Sequence, residues 1–351
     1  MDVLEFLYQN NITLPTRINP YGKEIRGVKP LIRETYYEYN FKNAIDFLDV
    51  FDINRSELYK NKGNDIFTSY IYRGHKFAQW KLLPSFFRNN QEHLKAYLSG
   101  NGHSSGEINI FLEFIKGLDF LGYNISDYSF NLLKLFDPKD SLSSISSDLS
   151  SNNMFFPRDE QLDELALAQH FGVETRLLDF TKDPMVALFF ASESAYPYEF
   201  ISKENKDKIG VWVVPRLLIE AIKEERFLKY VDVKKYQNKY ISAQKGVFIH
   251  YFPSLYEATK LSENIVKDNL LDISYTLDKL LASNFKSLAL NRLIKEHIGK
   301  PMLFTLPHNC LMPVASRLNQ LNINWATMMP SLDGVKKEVQ RQNNKPYTNI
   351  I

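Results

Sequence analysis

The spacing of apolar and polar residues along the chain predicts both helices and strands. Apolar positions in residues 41–60 recur three and four apart, which is typical of an amphipathic helix. Residues 66–73 are rich in aromatic and β-branched side chains and end at Gly74, which is typical of a strand. The same patterns predict helices at 91–136 (broken near 100–106), 159–171, 184–193, 215–225, 272–299 and 312–321, and strands at 175–181, 210–214, 246–252 and 302–306.

These elements do not follow a regular β-α-β alternation, so the order favours an α+β fold over a doubly wound parallel sheet. The helix at 184–193 is apolar nearly all round, which predicts that it is buried. It begins at Asp183-Pro184, where Asp is a favoured N-cap and Pro is favoured at the first helical position.

The 351 residues have room for one large domain or two modest ones. Residues 1–40 are punctuated by Pro and Gly and are interpreted as an N-terminal extension with at most one short helix. The main domain is predicted over 41–335, followed by a C-terminal tail at 336–351. A Ser-rich stretch at 141–152 predicts a surface loop or hinge inside the domain.

Charge and cysteine content narrow the function classes. Lys plus Arg is 43 and Asp plus Glu is 41, so the net charge of +2 argues against a protein that grips duplex DNA mainly through phosphates. The single cysteine, Cys310, allows neither an internal disulfide nor a cysteine-based zinc site. The first residues do not form a signal peptide, and no apolar run is long enough to span a membrane. A cytoplasmic protein without a membrane partner is the expectation.

The first polar motif is YRGH at residues 72–75, at the end of a predicted strand. Alternation along the strand places Arg73 on the face of Ile71 and Ser69, opposite the two neighbouring tyrosines. An Arg beside a Gly can hold a phosphate or carboxylate through two hydrogen bonds, while the Gly lets a ligand approach the backbone. The alternative is a strand-end Arg in a surface ion pair.

The second motif lies in residues 167–181, where LAQHFG is followed by TRLLDFT. Arg176, Asp179 and Thr181 interrupt a strongly apolar neighbourhood, so each needs a partner if it is buried. In one interpretation Asp179 pairs with Arg176 or caps a helix, and Asp179→Ala then destabilises the fold by about 3–5 kcal/mol. In the other, Thr181 and His170 line a ligand site.

The third motif is QKGVFIH at residues 244–250, a predicted strand. Gln244, Gly246, Phe248 and His250 share one face by parity, and a Gln at a strand mouth can bind a sugar hydroxyl. The alternative is a solvated Gln before a strand. The chain contains no P-loop, GxGxxG, HExxH or GxSxG signature, and the spacing of its histidines predicts no metal site.

Together these segments resemble the FRG domain family, named for an aromatic-Arg-Gly motif that is YRG at 72–74 here. The resemblance covers roughly residues 40–335 and implies a bacterial effector of defence or toxin type. Its other elements are Trp80, Pro84, Ser85 and Arg88, the segments 168–172, 175–181 and 187–191, then Gln244, Gly246 and Phe248, and PSLDG at 330–334.

The order of the motifs is also similar to that of the ADP-ribosyltransferase fold, in which NAD lies in a cleft between two small sheets. That resemblance implies a split β core with surrounding helices, NAD as substrate and an unknown macromolecular target. It implies that Arg73 holds the NAD phosphate or ribose and that the Gly74 backbone meets the nicotinamide carboxamide. Thr181 would support Arg73 and the nicotinamide ribose, and Gln244 would bind the ribose 2′-hydroxyl. Tyr72, His75 and Arg176 complete the implied binding residues.

The sequence departs from that fold at one position. Transferases of this kind carry a Glu on the third strand, whose charge stabilises the oxocarbenium-like transition state, and this chain has Gln244 there. A neutral amide can orient a hydroxyl but supplies much less field than a charge. Asp179 is the first candidate for the missing carboxylate, with His170 beside it as a further catalytic candidate.

Three hypotheses follow. The first is ADP-ribosyl transfer or NAD glycohydrolysis at a site of Arg73, Thr181, Gln244 and Asp179. The second is a nuclease, in which His75, His170 and Asp179 perform acid–base catalysis on RNA or DNA and Arg73 and Arg176 contact phosphates. The third is a binding module without turnover, detected by ligand-induced thermal stabilisation.

Overall fold

A computed structural model describes residues 22–52, 54–59, 70–89, 105–135, 156–193, 207–221, 228–235, 238–251, 276–287 and 300–343. The Ser-rich stretch predicted as a loop at 141–152 lies outside these residues. So do the first 21 residues, Ser69, and parts of the predicted helices at 91–136, 215–225 and 272–299.

The strands of the described residues form one mixed sheet of eight, in the order β1-β2-β8-β5-β3-β4-β7-β6. Neighbouring strands are antiparallel except for the parallel pair β2 and β8. The strands are β1 Leu31–Ile32, β2 Tyr37–Asn40, β3 Tyr70–His75, β4 Leu177–Thr181, β5 Lys208–Pro215, β6 Leu228–Val231, β7 Gly246–Tyr251 and β8 Met302–Pro307.

Helices pack on both faces of this sheet, and the predicted α+β class is confirmed because the strand pairing is mostly antiparallel. They are α1 Ala44–Val50, α2 Ser85–Asn89, α3 Ser105–Phe120, α4 Asp127–Leu135, α5 Leu162–His170, α6 Pro184–Glu193, α7 Arg216–Ala221, α8 Lys239–Ala243, α9 Leu277–Ser287, α10 Met312–Gln320, α11 Trp325–Met328 and α12 Leu332–Asn343.

The predicted arrangement of strands in two small sheets is not what the described residues adopt. A five-stranded part, β1-β2-β8-β5-β3, and a three-stranded part, β4-β7-β6, are joined by a single register pair, Tyr72 with Thr181. Beyond that pair, β3 continues along β5 while the rest of β4 pairs with β7. The two parts therefore belong to one sheet, but they separate at one end of the β3–β4 junction.

The sequence pattern also missed secondary structure near both ends of the main domain. β1 and β2 lie within the segment predicted as an N-terminal extension, and β2 pairs with β8 in the sheet. These strands are only two and four residues long, too short for a clear alternation to show. Near the other end, α12 continues across the boundary between residues 335 and 336, where the tail was predicted to begin.

In the described part of the chain, the larger apolar clusters pack the helices against the sheet. One lies between α6, α1 and α10 and the face of the sheet that carries Tyr70 and Tyr72. The second covers the opposite face, where Ile71 packs with residues of β4, β5 and α9. The third joins α3 and α5 to the three-stranded part. The alternation predicted for β3 is confirmed, because Ile71 and its tyrosine neighbours lie on opposite faces.

Gly74 is the point of closest approach between β3 and α6. A Cβ atom at this position would lie 1.9 Å from the carbonyl oxygen of Ala187 and 2.8 Å from the backbone nitrogen of Ala191. Such contacts with helix backbone cannot be relieved by rotating a side chain. The glycine thus serves close helix–sheet packing, whereas the sequence suggested that it admits a ligand to the backbone.

We expect Gly74→Ala to lower the free energy of unfolding by about 3 kcal/mol, because α6 must shift away from the sheet. Gly117→Ala in α3 is the matched control, since nothing lies within 4 Å of the added Cβ. In that control the free energy of unfolding should rise by up to about 1 kcal/mol, because Ala has a better helix propensity than Gly. Denaturant titration measures both, and equal stabilities for the two variants would contradict the packing argument.

Candidate functional site

Arg73 occupies the gap that opens where β3 and β4 separate. Its Nη1 donates to the backbone carbonyl of Asp179 at 2.6 Å and lies 3.5 Å from the carboxylate oxygen Oδ2 of the same residue. The guanidinium thus links the first and second sequence motifs at the point where strand pairing ends. The Arg73 side chain is 15% exposed, so one edge reaches solvent.

Burial and neighbouring charges shift the pKa of the Arg73 guanidinium. Burial lowers its pKa, the nearby positive charge of Arg88 adds to that effect, and Asp179 acts in the opposite direction. Two like charges close together beside an open gap favour an anionic ligand, because an anion relieves their repulsion. The electrostatics therefore suit a phosphate or carboxylate at this position.

His75 supports Arg73 from the same strand. Arg73 donates from Nε to the Nε2 atom of His75 at 3.0 Å. Burial lowers the pKa of His75 well below its ordinary value, and the positive charges of Arg73 and Arg88 lower it further. The imidazole is therefore neutral at neutral pH and acts as a hydrogen-bond acceptor for the guanidinium.

Asp179 faces the same gap with a carboxylate that is 60% exposed. Its Oδ1 accepts a hydrogen bond from the side-chain amide of Gln169 at 2.5 Å, and its Oδ2 lies near Arg73. The Asp–Arg176 pair proposed from the sequence does not form. Asp179 instead lies between the last turn of α5 and the guanidinium of the first motif.

A cleft of about 230 Å³ opens beside these residues. This is below the roughly 300–1,000 Å³ of pockets that enclose drug-sized ligands, so a dinucleotide would extend beyond it. Its lining is mostly polar and carries both signs of charge. The walls include Arg73, Ser85, Arg88, Gln169, Asp179 and the segment 172–174.

Arg176 lies away from this cleft, in the core beneath it. It forms a buried ion pair with Glu107 of α3, and its backbone N–H donates to the same carboxylate at 3.0 Å. Its Nη1 donates to the carbonyl of Phe156 at 3.1 Å. Arg176, which was predicted to bind a ligand, is thus placed in the core, where a carboxylate 69 residues away in sequence neutralises its charge.

His250 of the third motif is buried close to Arg176. Burial lowers its pKa to about 3, and the charges of Arg176 and Lys229 contribute. The folded state therefore holds a neutral imidazole, whereas the unfolded chain protonates it near pH 6.5. The stability that this group contributes is complete above pH 6.5 and is lost as the pH falls towards 3.

We expect the His250→Asn variant to lose stability less steeply than the wild type between pH 6 and pH 4. The slopes of unfolding free energy against pH should differ by up to about 1.4 kcal/mol per pH unit, which corresponds to one proton taken up on unfolding. The replacement amide takes up none, because it does not titrate. Urea unfolding at a series of pH values measures this slope. Parallel curves for the two proteins would show that His250 does not titrate on unfolding.

His170 lies at the end of α5 and stacks against Tyr240 of α8, with ring centroids 4.3 Å apart. Partial burial lowers its pKa, and the charge of Asp179 opposes that shift. The imidazole is thus near the candidate carboxylate and is neutral at neutral pH. The contacts of its ring with Tyr240 and Phe171 give His170 a packing role beside the cleft.

Thr181 connects the second motif to the third. Its hydroxyl donates to the backbone carbonyl of Gln244 at 2.7 Å and accepts from the N–H of Asp183 at 3.0 Å. Asp183 in turn accepts from the N–H of Met185, so it caps α6 as the sequence predicts. Thr181 therefore fixes the turn between β4 and α6 against the start of β7.

Gln244 does not lie on the strand that the sequence predicted. It is the C-cap of α8, Lys245 follows with a left-handed φ of 47°, and β7 begins at Gly246. The alternation of residues along a strand could not show the position of Gln244, because a short helix capped by Asn238 precedes the strand. The amide of Gln244 donates to the carbonyl of Met328 at 2.9 Å, so it holds α11.

Tyr72 is buried on the face of β3 opposite Arg73. Its hydroxyl is 3.0 Å from that of Tyr59, and burial raises its pKa well above the ordinary value. Its predicted place in a binding site is therefore not supported by this geometry, since its ring packs in the apolar cluster beneath α6.

Sequence reasoning singled out Arg73, Asp179 and His75 but not the residues that complete the cleft. Gln169 lies inside the second motif, and Ser85 and Arg88 lie in the continuation of the first. Their position within these two motifs was the signal in the sequence that could have identified them. The Arg73–Asp179 contact spans 106 residues, so no local pattern could have specified it.

Within the described ranges, no three His, Cys, Asp or Glu side chains lie close enough to hold a metal ion. The helices seen in that part of the chain are too short or too polar to cross a bilayer.

Comparison with known families identifies the segment that carries the cleft. The family model of the FRG domain matches residues 68–199. The chain contains an FRG domain. No curated protein and no solved structure matches the chain.

The FRG domain match covers both of the first two motifs. It spans β3, α5, β4 and α6, and it includes both Arg73 and Asp179. It ends before Gln244, so the third motif lies outside the matched FRG domain segment. The resemblance to the FRG family that the motifs indicated is thereby confirmed.

Proposed function

We propose that the protein binds NAD at the cleft beside Arg73 and cleaves the N-glycosidic bond between nicotinamide and ribose. The observation that carries the proposal is the meeting of Arg73 and Asp179 in the gap between the two parts of the sheet. The similarity of motif order to ADP-ribosyltransferases supports NAD as the substrate. The similarity concerns only the order of the motifs along the chain, and the chemistry depends on the side chains of the cleft.

The cationic side of the cleft suits the NAD pyrophosphate. The contacts of Arg73 with the described residues use its Nε and Nη1, so the two donors of Nη2 can serve a ligand. A guanidinium can donate two parallel hydrogen bonds to a phosphate. Arg88 lies on the same wall and supplies a second positive charge.

The anionic side suits the ribose that loses nicotinamide. As the glycosidic bond breaks, its electron pair remains on the nicotinamide nitrogen and positive charge develops on the ribose. The exposed carboxylate of Asp179 can stabilise this charge, in place of the Glu that the third strand lacks. Water, or a nucleophile on a target macromolecule, then forms the new bond to the ribose carbon and releases a proton.

In this proposal Thr181 and Gln244 act differently from their counterparts in the resemblance. Thr181 holds the backbone at the start of β7, and the Gln244 amide is bound to Met328. Neither residue lines the cleft, so both have a structural role at the connection between α8 and β7. His75 keeps Arg73 in place as a neutral acceptor, which gives it a structural role in place of acid–base catalysis.

The test is to incubate purified protein with excess NAD and to measure nicotinamide by chromatography. Asp179→Asn should reduce release by about 100-fold, because a neutral amide does not stabilise the developing charge. Asp159→Asn is the matched control, since that carboxylate is also exposed and lies in a surface ion pair with Lys229. The control should keep wild-type activity.

Other outcomes identify the alternative functions. If no nicotinamide is released and no macromolecule is labelled from NAD, the proposed chemistry is wrong. Cleavage of RNA or DNA by the same preparation would establish the nuclease hypothesis. Thermal stabilisation by NAD without any product would establish a binding module. If nicotinamide release requires an added cell extract and ADP-ribose appears on a macromolecule, the reaction is a transfer, as for a defence or toxin effector.

A further inference from the structure

A chain of hydrogen bonds leads from the core to the carboxylate of Asp179. The Thr175 hydroxyl donates to the Oε1 atom of Gln169, and the Nε2 atom of Gln169 donates to Oδ1 of Asp179. Thr175 is fully buried and is itself held by Ser85, whose hydroxyl lies 3.3 Å from both its N–H and its carbonyl. The carboxylate is thus connected to a fixed part of the fold.

The orientation of the Gln169 amide follows from its two partners. A carboxylate only accepts hydrogen bonds, so the amide must present its NH₂ group to Asp179. Its oxygen then faces Thr175, whose hydroxyl can donate because the backbone N–H of Leu177 occupies its acceptor side at 3.2 Å. A flipped amide would place two oxygens against each other at Asp179. Each group therefore has one compatible orientation.

We infer that Gln169 and Thr175 are positioning residues that fix the Asp179 carboxylate in the cleft. They hold Oδ1, so that Oδ2 remains beside Arg73 and faces the ligand space. Without this restraint a carboxylate that is 60% exposed would rotate among several orientations. The consequence for turnover rests on the proposed function, because it requires Asp179 to act on the ribose.

The decisive experiment exchanges the amide and the carboxylate. Gln169→Glu places two carboxylates against each other and should lower the melting temperature by about 2–4 °C at pH 8. At pH 4 the pair can share a proton, so the loss should disappear. Adding Asp179→Asn to this variant restores one donor and one acceptor, and it should restore most of the melting temperature at pH 8. Equal melting temperatures for the single and double variants would overturn the inference.

Activity separates positioning from simple structural support. Gln169→Glu should lose most of its kcat for nicotinamide release with little change in KM, and the exchanged double variant should remain inactive although it is stable. Thr175→Ser keeps the hydroxyl and should retain activity, whereas Thr175→Val should lose at least 10-fold in kcat. Wild-type kcat in both Gln169→Glu and Thr175→Val would overturn the positioning role.

A failure of the proposed function can be distinguished from a failure of the inference about Gln169. If the wild type releases no nicotinamide, the proposed function fails, but the melting temperatures of the exchange variants still decide whether Gln169 fixes Asp179. If the wild type is active and the exchange restores no stability, the proposed function survives and the inference about Gln169 is overturned.

Discussion

Replacing Glu107 by alanine should lower the free energy of unfolding by about 3–5 kcal/mol, because it leaves the Arg176 guanidinium buried without its carboxylate. The two side chains are 1% and 3% exposed, so water cannot replace the lost partner. Glu107 accepts from the Nε of Arg176 at 2.6 Å and from its backbone N–H at 3.0 Å. One substitution therefore removes the charge partner and two hydrogen bonds.

A second acidic residue on the same helix provides the control. Glu113 is 72% exposed and pairs with Lys116 on the surface, so Glu113→Ala should change stability by less than about 1 kcal/mol. Denaturant titration of both variants gives the comparison. If Glu107→Ala were as mild as Glu113→Ala, the arginine would have to reach solvent by rearrangement of β4. The loss of unfolding free energy in Glu107→Gln should lie between those of Glu107→Ala and Glu113→Ala, because the amide keeps an oxygen that accepts hydrogen bonds.

The Glu107–Arg176 pair shows where prediction from the sequence stops. The pattern around residues 175–181 correctly indicated a buried strand with charged residues that need partners. It could not specify which carboxylate neutralises Arg176, because Asp179 was closer along the chain than Glu107. The exposed Asp179 could then be assigned to the cleft only from the three-dimensional arrangement.

Local signals were sufficient where a motif coincides with an element boundary. The Asp183-Pro184 start of α6 is confirmed, and so is the strand that carries Arg73, although that strand continues through Gly74 to His75. The strand predicted from residue 246 is confirmed as β7, but the helix that Gln244 ends was missed, because it is too short for periodicity to detect. The junction of the two sheet parts through one pair, Tyr72 with Thr181, depends on contacts far apart in sequence.

Arg73→Ala tests the site most directly, and we expect it to weaken NAD binding by about 30- to 1,000-fold. A charged hydrogen-bonded contact to a phosphate is worth roughly 2–4 kcal/mol when it is removed from a partly buried site, and each 1.4 kcal/mol corresponds to a factor of ten. Arg73→Lys should recover only part of the affinity, because an ammonium retains the charge but lacks the planar fork that binds phosphate bidentately. Isothermal calorimetry with NAD measures all three proteins.

The same substitution has an independent signature at His75. The positive charge of Arg73 lowers the pKa of this imidazole, so Arg73→Ala should raise the pKa of His75 towards its ordinary value. Proton NMR of the histidine ring across pH reports the shift whether or not NAD is the ligand. Arg317→Ala is the control, because this exposed guanidinium donates to the Gln320 side chain on the surface, and it should change neither the NAD affinity nor the His75 pKa. If NAD affinity were unchanged while the His75 pKa rises, Arg73 would be a structural link between β3 and β4, and the ligand would have to bind elsewhere.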